Sequence, residues 1–170
     1  SDLKKIIDQF DVVILSGGVS KGKFDFIPEV LTSIGVQKLF HRVAQRPGKP
    51  FWFGVKGNKR IFALPGNPVS TLMCFYAFIK PWLYASIGRE TTIHDIVLSN
   101  DMIFKPALTY YAQAKVTNQK GVLYAQLAHG SGSGNMLHPT QMDGFVELPS
   151  DKIEFNKGEV YPFIPFHSIY

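Results

Sequence analysis

Four consecutive apolar residues, Val12-Val13-Ile14-Leu15, run directly into Ser16-Gly17-Gly18. A short apolar run that stops at a glycine turn reads as a buried strand, here over residues 11–16. Leu3, Ile6, Ile7 and Phe10 precede it at helical spacing, which predicts an amphipathic helix over 2–9. Behind the turn, Pro28 suits a first helical turn and Gly35 a stop, so a helix is predicted over 26–34. Helix, strand, glycine turn and helix, in that order, is the pattern of an open α/β sheet. Such sheets bind ligands beyond the carboxyl ends of their strands. Gly17 and Gly18 permit close backbone approach and can aim amide N–H groups at an anion. Ser16 and Ser20 supply hydroxyls for a phosphate, or are simply turn residues.

The next segments extend this first domain. Strands are predicted over 36–45, 51–55 and 60–64, with Asn58 in a turn. Asn67 suits a helix N-cap and Pro68 the first helical position. Val69, Leu72, Met73, Tyr76, Ile79 and Leu83 then share one helical face, and Pro81 is expected to kink or end that helix. After Gly88 the pattern changes to short alternating segments, 109–117, 122–128, 144–148 and 160–164, separated by turn residues. These predict a small all-β domain, a barrel or a sandwich. The division expected is 1–88 as α/β and 89–170 as all-β, with the boundary within 86–92. The first domain supplies few strands for a doubly wound sheet, so it reads as the C-terminal half of one.

Hydrophobic residues make up 45% of the 170, and aromatic residues 14%, enough for packed cores. No apolar run approaches the roughly 20 residues of a membrane span, and the charged, amphipathic N-terminus does not read as a signal peptide. Cys74 is the single cysteine, so no intrachain disulfide can form, in keeping with a reducing cytoplasm. The net charge of +5 fits a mildly basic soluble protein, or a site for anionic ligands. No Lys/Arg stripe interleaved with aromatics points to nucleic acid.

Four further features carry candidate chemistry. Asp25 ends the glycine turn, where it either caps the following helix or holds Mg²⁺ against a phosphate. In Arg46-Pro47-Gly48-Lys49-Pro50 two cations flank a rigid turn. A planar guanidinium fork and an ammonium both suit a tetrahedral oxyanion; the alternative is a solvated hairpin. Leu64-Pro65-Gly66-Asn67-Pro68-Val69-Ser70 joins a strand to a helix and puts Ser70 in the first helical turn, beside a potential anion site or merely a well-capped start. In the all-β domain, the run from His129 to Asn135, with Ser131 and Ser133 between glycines, forms either an amide nest or a surface loop. The five histidines show no metal-ligand spacing and read as structural or surface residues.

The glycine turn, the Pro-Gly-Lys-Pro turn and Leu-Pro-Gly-Asn-Pro-Val-Ser, in this order, resemble the molybdopterin molybdenumtransferase family, which includes MoeA-like proteins and the gephyrin E domain. The segment GSGSGNMLHPTQMDGFVELP strengthens the likeness in the all-β part. The resemblance implies a partial molybdopterin-binding α/β domain followed by a C-terminal β-barrel. It implies insertion of molybdate into adenylated molybdopterin with release of AMP, dependent on Mg²⁺. By the resemblance Asp25 is the catalytic acid at the metal–phosphate site. Arg46, Lys49 and Ser70 contact molybdate, Pro65 and Pro68 shape the pocket, and Ser131 or Ser133 approaches from the barrel. Arg46 replaces the family's usual lysine, and Leu108-Thr109-Tyr110-Tyr111 lacks the arginine that often opens that barrel strand. The family's upstream domains are not in this sequence. The expectation is therefore a fragment with little or no activity alone, homodimeric when full-length. Two other functions fit parts of the pattern: the related molybdopterin adenylyltransferase, which ends after its α/β domain, and a non-catalytic scaffold of gephyrin type.

Overall fold

The computed structural model describes residues 2–19, 26–128 and 141–167. The chain divides into two compact units: Ser1–Ala44 with Gly48–Cys74, and Gln45–Pro47 with Phe75–Tyr170.

In the first unit, helix α1 (Asp2–Gln9) leads into strand β1 (Val12–Ser16), and helix α2 (Ile27–Ser33) follows. Strands β2 (Gln37–His41), β4 (Trp52–Lys56) and β5 (Lys59–Leu64) come next, then helix α3 (Pro68–Cys74). The sheet order is β1-β5-β4-β2. β1 runs parallel to β5, with Ser16 opposite Leu64, and β4 is antiparallel to both β5 and β2. Ile7, Val13, Leu31, Trp52 and Ile61 form the core on one face, with Leu3 packed against it, while Ile6 and Phe10 of the predicted stripe are exposed. Phe53 stacks on Phe62 at 4.7 Å between ring centroids, extending the aromatic packing across neighbouring strands.

Two expectations need correction here. β1 is not buried on both sides: it forms an edge of the sheet, and Ile14 is 42% exposed while Val13 is buried. An apolar run alone does not distinguish an edge strand from a central one. The strand predicted over 36–45 stops at His41. Arg42 takes a left-handed backbone (φ 72°), and Gln45–Arg46 forms a separate strand, β3, that belongs to the second unit.

The second unit holds a π-helical turn (Phe75–Ile79) and helix α4 (Lys80–Ser86). Pro81 follows directly on the π-helical turn, and the helical backbone passes through Ile79 (φ −74°, ψ −47°) without a break, so the irregularity expected at Pro81 takes the form of that turn. Strands β6 (His94–Leu98), β7 (Met102–Ile103), β8 (Thr109–Gln119), β9 (Val122–Leu127), β10 (Gly144–Leu148), β11 (Glu154–Phe155) and β12 (Val160–Pro165) follow. The order β10-β12-β6-β9-β8 is closed by pairing of β10 with β8, giving a five-stranded barrel, and β3 adds parallel to β8. The barrel reading is borne out, and β6 is the strand the alternation did not reveal. Ile96, Phe104, Ala112, Val146, Phe155 and Phe163 fill the interior.

Closure depends on Gly144, which is paired to Ala114 on one side and Pro165 on the other. A Cβ there would collide with the Ile164 carbonyl and the Phe163 ring. Gly144→Ala is expected to destabilise the protein by about 1–3 kcal/mol, the range for overpacking a filled core. Equilibrium denaturation measures this.

Lys152 sits 2.7 Å from both Glu159 carboxylate oxygens, and the Tyr161 hydroxyl donates to the same group at 2.7 Å. These bonds hold the Glu159 carboxyl at about 2, below its ordinary 4.5. A depressed carboxylate stabilises the fold above its unfolded value and loses that contribution as pH falls toward the folded one. Acid titration of thermal stability is expected to show a loss between about pH 4.5 and 2 that Glu159→Gln removes.

Candidate functional site

Parallel pairing brings the carboxyl ends of β1 and β5 together, so the turns that follow them emerge side by side. The Gly17 amide donates to the Leu64 carbonyl at 2.9 Å. A Cβ on Gly66 would sit 3.4 Å from Gly17 Cα, so the two turns are in contact. Gly18 has φ +70°, and a Cβ there would meet Ile27 at 2.6 Å. That position therefore demands glycine both for conformation and for space.

The first turn is held from three sides. The Ile27 N–H donates to the Gly18 carbonyl at 3.2 Å. Val19 is buried in the core. The Val19 carbonyl accepts from His41 Nε2 at 3.1 Å, which requires that nitrogen to carry the proton. Nothing in the sequence marks His41 for this task, although its reading as a structural histidine stands.

The second turn is organised by its own side chains. Asn67 Oδ1 accepts the Ser70 N–H at 3.1 Å, the N-cap bond anticipated for α3. Ser70 is buried, with its hydroxyl 3.4 Å from the same oxygen. Pro65 is buried, while Pro68 is exposed at the start of α3. Thr71 was missed by the sequence reading. Its hydroxyl reaches the Pro65 and Asn67 carbonyls and lies 3.4 Å from Ser16 Oγ, on the other turn. Its position four residues after Asn67, where Thr commonly bonds back along a helix, was the available signal.

One predicted role changes. The Gly17 amide is committed to Leu64, so it does not face an anion. Asp25 and Ser20, proposed for the same turn, lie outside the described residues, as do Ser131 and Ser133. The cap position of α2 is Phe26, and no side chain caps it.

The two cations of the Pro-Gly-Lys-Pro turn fall in different units. In the first, Lys49 is exposed, and its carbonyl accepts the Val43 N–H at 2.9 Å. In the second, Arg46 is half-buried in β3, opposite Tyr110 of β8. Burial pushes the Tyr110 phenol up, and the Arg46 guanidinium pulls it the other way. Tyr110, stacked on Phe104 at 4.2 Å, occupies the stretch where the sequence lacks an arginine.

The second unit also contains a cavity of about 600 Å³, lined by Tyr76, Lys80, Tyr84, Glu147 and Phe166 among others. None of the residues proposed from the sequence to bind substrate or metal lines it. Among the described residues no group of three or more His, Cys, Asp or Glu could hold a metal ion, and no helix is long and apolar enough to cross a membrane.

Comparisons with known proteins divide the chain in a similar way. Residues 1–85 match the family described as a probable molybdopterin binding domain, and residues 95–166 match the MoeA C-terminal region. A molybdopterin molybdenumtransferase of Synechocystis is 38% identical over 160 residues, covering 91% of this chain and 38% of that protein. Its Bacillus subtilis namesake is 30% identical, covering 92% and 37%. A crystal structure of a molybdopterin biosynthesis MoeA protein from Pyrococcus horikoshii superposes with a TM-score of 0.71 at 28% identity, covering 98% of this chain and 41% of that one. The chain thus spans well under half the length of these relatives.

Removing the Asn67 cap tests the local account of the second turn. Asn67→Ala is expected to cost about 1 kcal/mol of stability and Asn67→Asp almost nothing, measured by chemical denaturation.

Proposed function

Because this chain belongs to the molybdopterin-binding domain family and carries a MoeA C-terminal region behind that domain, we propose that it is part of a molybdopterin molybdenumtransferase. The full-length protein inserts molybdate into adenylated molybdopterin and releases AMP. The observation that carries this reading is the pair of touching turns at the carboxyl ends of β1 and β5, inside the segment that matches the family. In this reading the Gly18 amide and the residues up to Asp25 receive the nucleotide phosphates. Lys49 and Arg46 supply positive charge for molybdate, with Ser70, Pro65 and Pro68 around it and Ser131 or Ser133 from the barrel. The reading includes a cytoplasmic setting, a homodimer, and domains divided at 1–88 and 89–170.

Magnesium enters only through Asp25. Among the described residues no grouping of His, Cys, Asp or Glu fits the ion. The closed barrel favours the transferase over an adenylyltransferase that ends after its α/β domain.

The decisive experiment is AMP release from adenylated molybdopterin by the full-length protein, with and without molybdate. Release that ignores molybdate, or none at all, overturns the proposal. Lys49→Ala is expected to weaken molybdate binding about ten- to a hundredfold, the loss of one charge-assisted hydrogen bond. Because Lys49 is exposed, its melting temperature should stay within a degree or so of wild type. Titration calorimetry and a thermal melt read the two quantities separately.

A further inference from the structure

We propose that Thr71 is a positioning residue that locks the turn after β1 to the turn after β5 and orients the Ser16 hydroxyl as an acceptor toward bound ligand. The inference rests on the transferase reading only for the identity of that ligand.

The argument is one of proton counting. Thr71 Oγ1 lies within hydrogen-bond reach of three oxygens: the Pro65 carbonyl, the Asn67 carbonyl at 3.1 Å and Ser16 Oγ at 3.4 Å. A threonine hydroxyl has one proton to donate and two lone pairs to accept with. Carbonyl oxygens only accept, so the proton of Thr71 goes to Pro65, the nearest of the three, or to Asn67. The Ser16 contact can then form in one direction only: Ser16 donates and Thr71 accepts. With its proton turned toward Thr71, exposed Ser16 offers its free lone pairs to whatever enters the turn. It therefore meets an N–H or O–H of a ligand, such as an amine or ring amide, rather than a phosphate oxygen. This reverses the donor role that a serine in a glycine turn suggests.

The lock has a second component. Ser16 precedes Gly17, whose amide donates to Leu64, and Thr71 bonds Pro65, which follows Leu64. The backbone bond and the side-chain contact thus tie the same two turns at adjacent positions. A Cβ added at Gly66 would already be in van der Waals contact with Gly17, so the two turns run close together. Thr71 is 55 residues from Ser16 in sequence, so it joins elements that local structure alone does not connect.

The test uses full-length protein with Thr71→Val, which keeps the shape and removes the hydroxyl, and Thr71→Ser, which restores it. Amide hydrogen exchange without substrate reads the lock. The Gly17 amide is expected to exchange at least tenfold faster in Thr71→Val and at the wild-type rate in Thr71→Ser; unchanged exchange in Thr71→Val overturns the lock. Steady-state kinetics of AMP release read the orientation. Thr71→Val is expected to raise KM for adenylated molybdopterin about five- to tenfold, the worth of one neutral hydrogen bond, with kcat within twofold. Thr71→Val added to Ser16→Ala is expected to raise KM no further than Ser16→Ala alone. Multiplying effects in the double variant would show that Thr71 does not act through Ser16 and would overturn that role. An inactive wild type would instead sink the transferase reading, and the exchange experiment would still judge the lock.

Discussion

The parallel pairing of β1 with β5 is the constraint on which the candidate site depends. Parallel strands leave a sheet at the same end, so their following turns meet whatever their sequence separation. Here that puts Ser16-Gly17-Gly18 against Pro65-Gly66-Asn67. The approach is close enough that a Cβ on Gly66 would touch Gly17. One direct consequence is chemical. The Gly17 amide, which would be an anion donor in an isolated glycine turn, is turned inward to Leu64. The donors left to a ligand are those the sheet does not use.

The same logic governs how the first turn is supported. A turn with two left-handed glycines has little conformational preference of its own. Its geometry is imposed from outside: by Val19 in the core, by Ile27 packed where a Cβ of Gly18 would be, and by His41 from a different strand. A half-buried glycine turn is thereby held by its neighbours, which lowers the entropy lost when a ligand binds. In the second unit, closure plays the corresponding role. Pairing of β10 with both β8 and β12 leaves neither of its edges open, and Gly144 permits the close approach that closure needs.

Much of this was legible in the chain. The helical spacing of Leu3, Ile6 and Ile7, the glycine stop after Leu15, the Asn67-Pro68 helix start and the alternation after residue 109 each reflect a local periodicity or a local backbone rule. Such rules act over a few residues, so they survive without knowledge of the fold. The strand range 144–148 was read to the residue because glycine and proline bound it on both sides. β6 escaped because five residues, His94–Leu98, show too little alternation to stand out. The edge position of β1 escaped because apolar content reports the wish to be buried, not the number of neighbours a strand obtains.

What the sequence by itself determined is therefore the order and type of the elements, the change from α/β to all-β, and the residues at the strand ends where a ligand would sit. What only the tertiary structure decided is which of those residues keep a free hydrogen-bonding group. Gly17 loses its amide to Leu64, Ser16 meets Thr71, His41 enters the account without any motif to mark it, and Thr71 with only its place four residues after Asn67. Arg46 and Lys49, three residues apart, belong to different units because Gln45–Arg46 pairs with β8. The physical reason is common to all of these. A hydrogen bond is settled by distance and direction in space, and the Val19–His41 and Ser16–Thr71 partners lie 22 and 55 residues apart in sequence, beyond the reach of any local pattern.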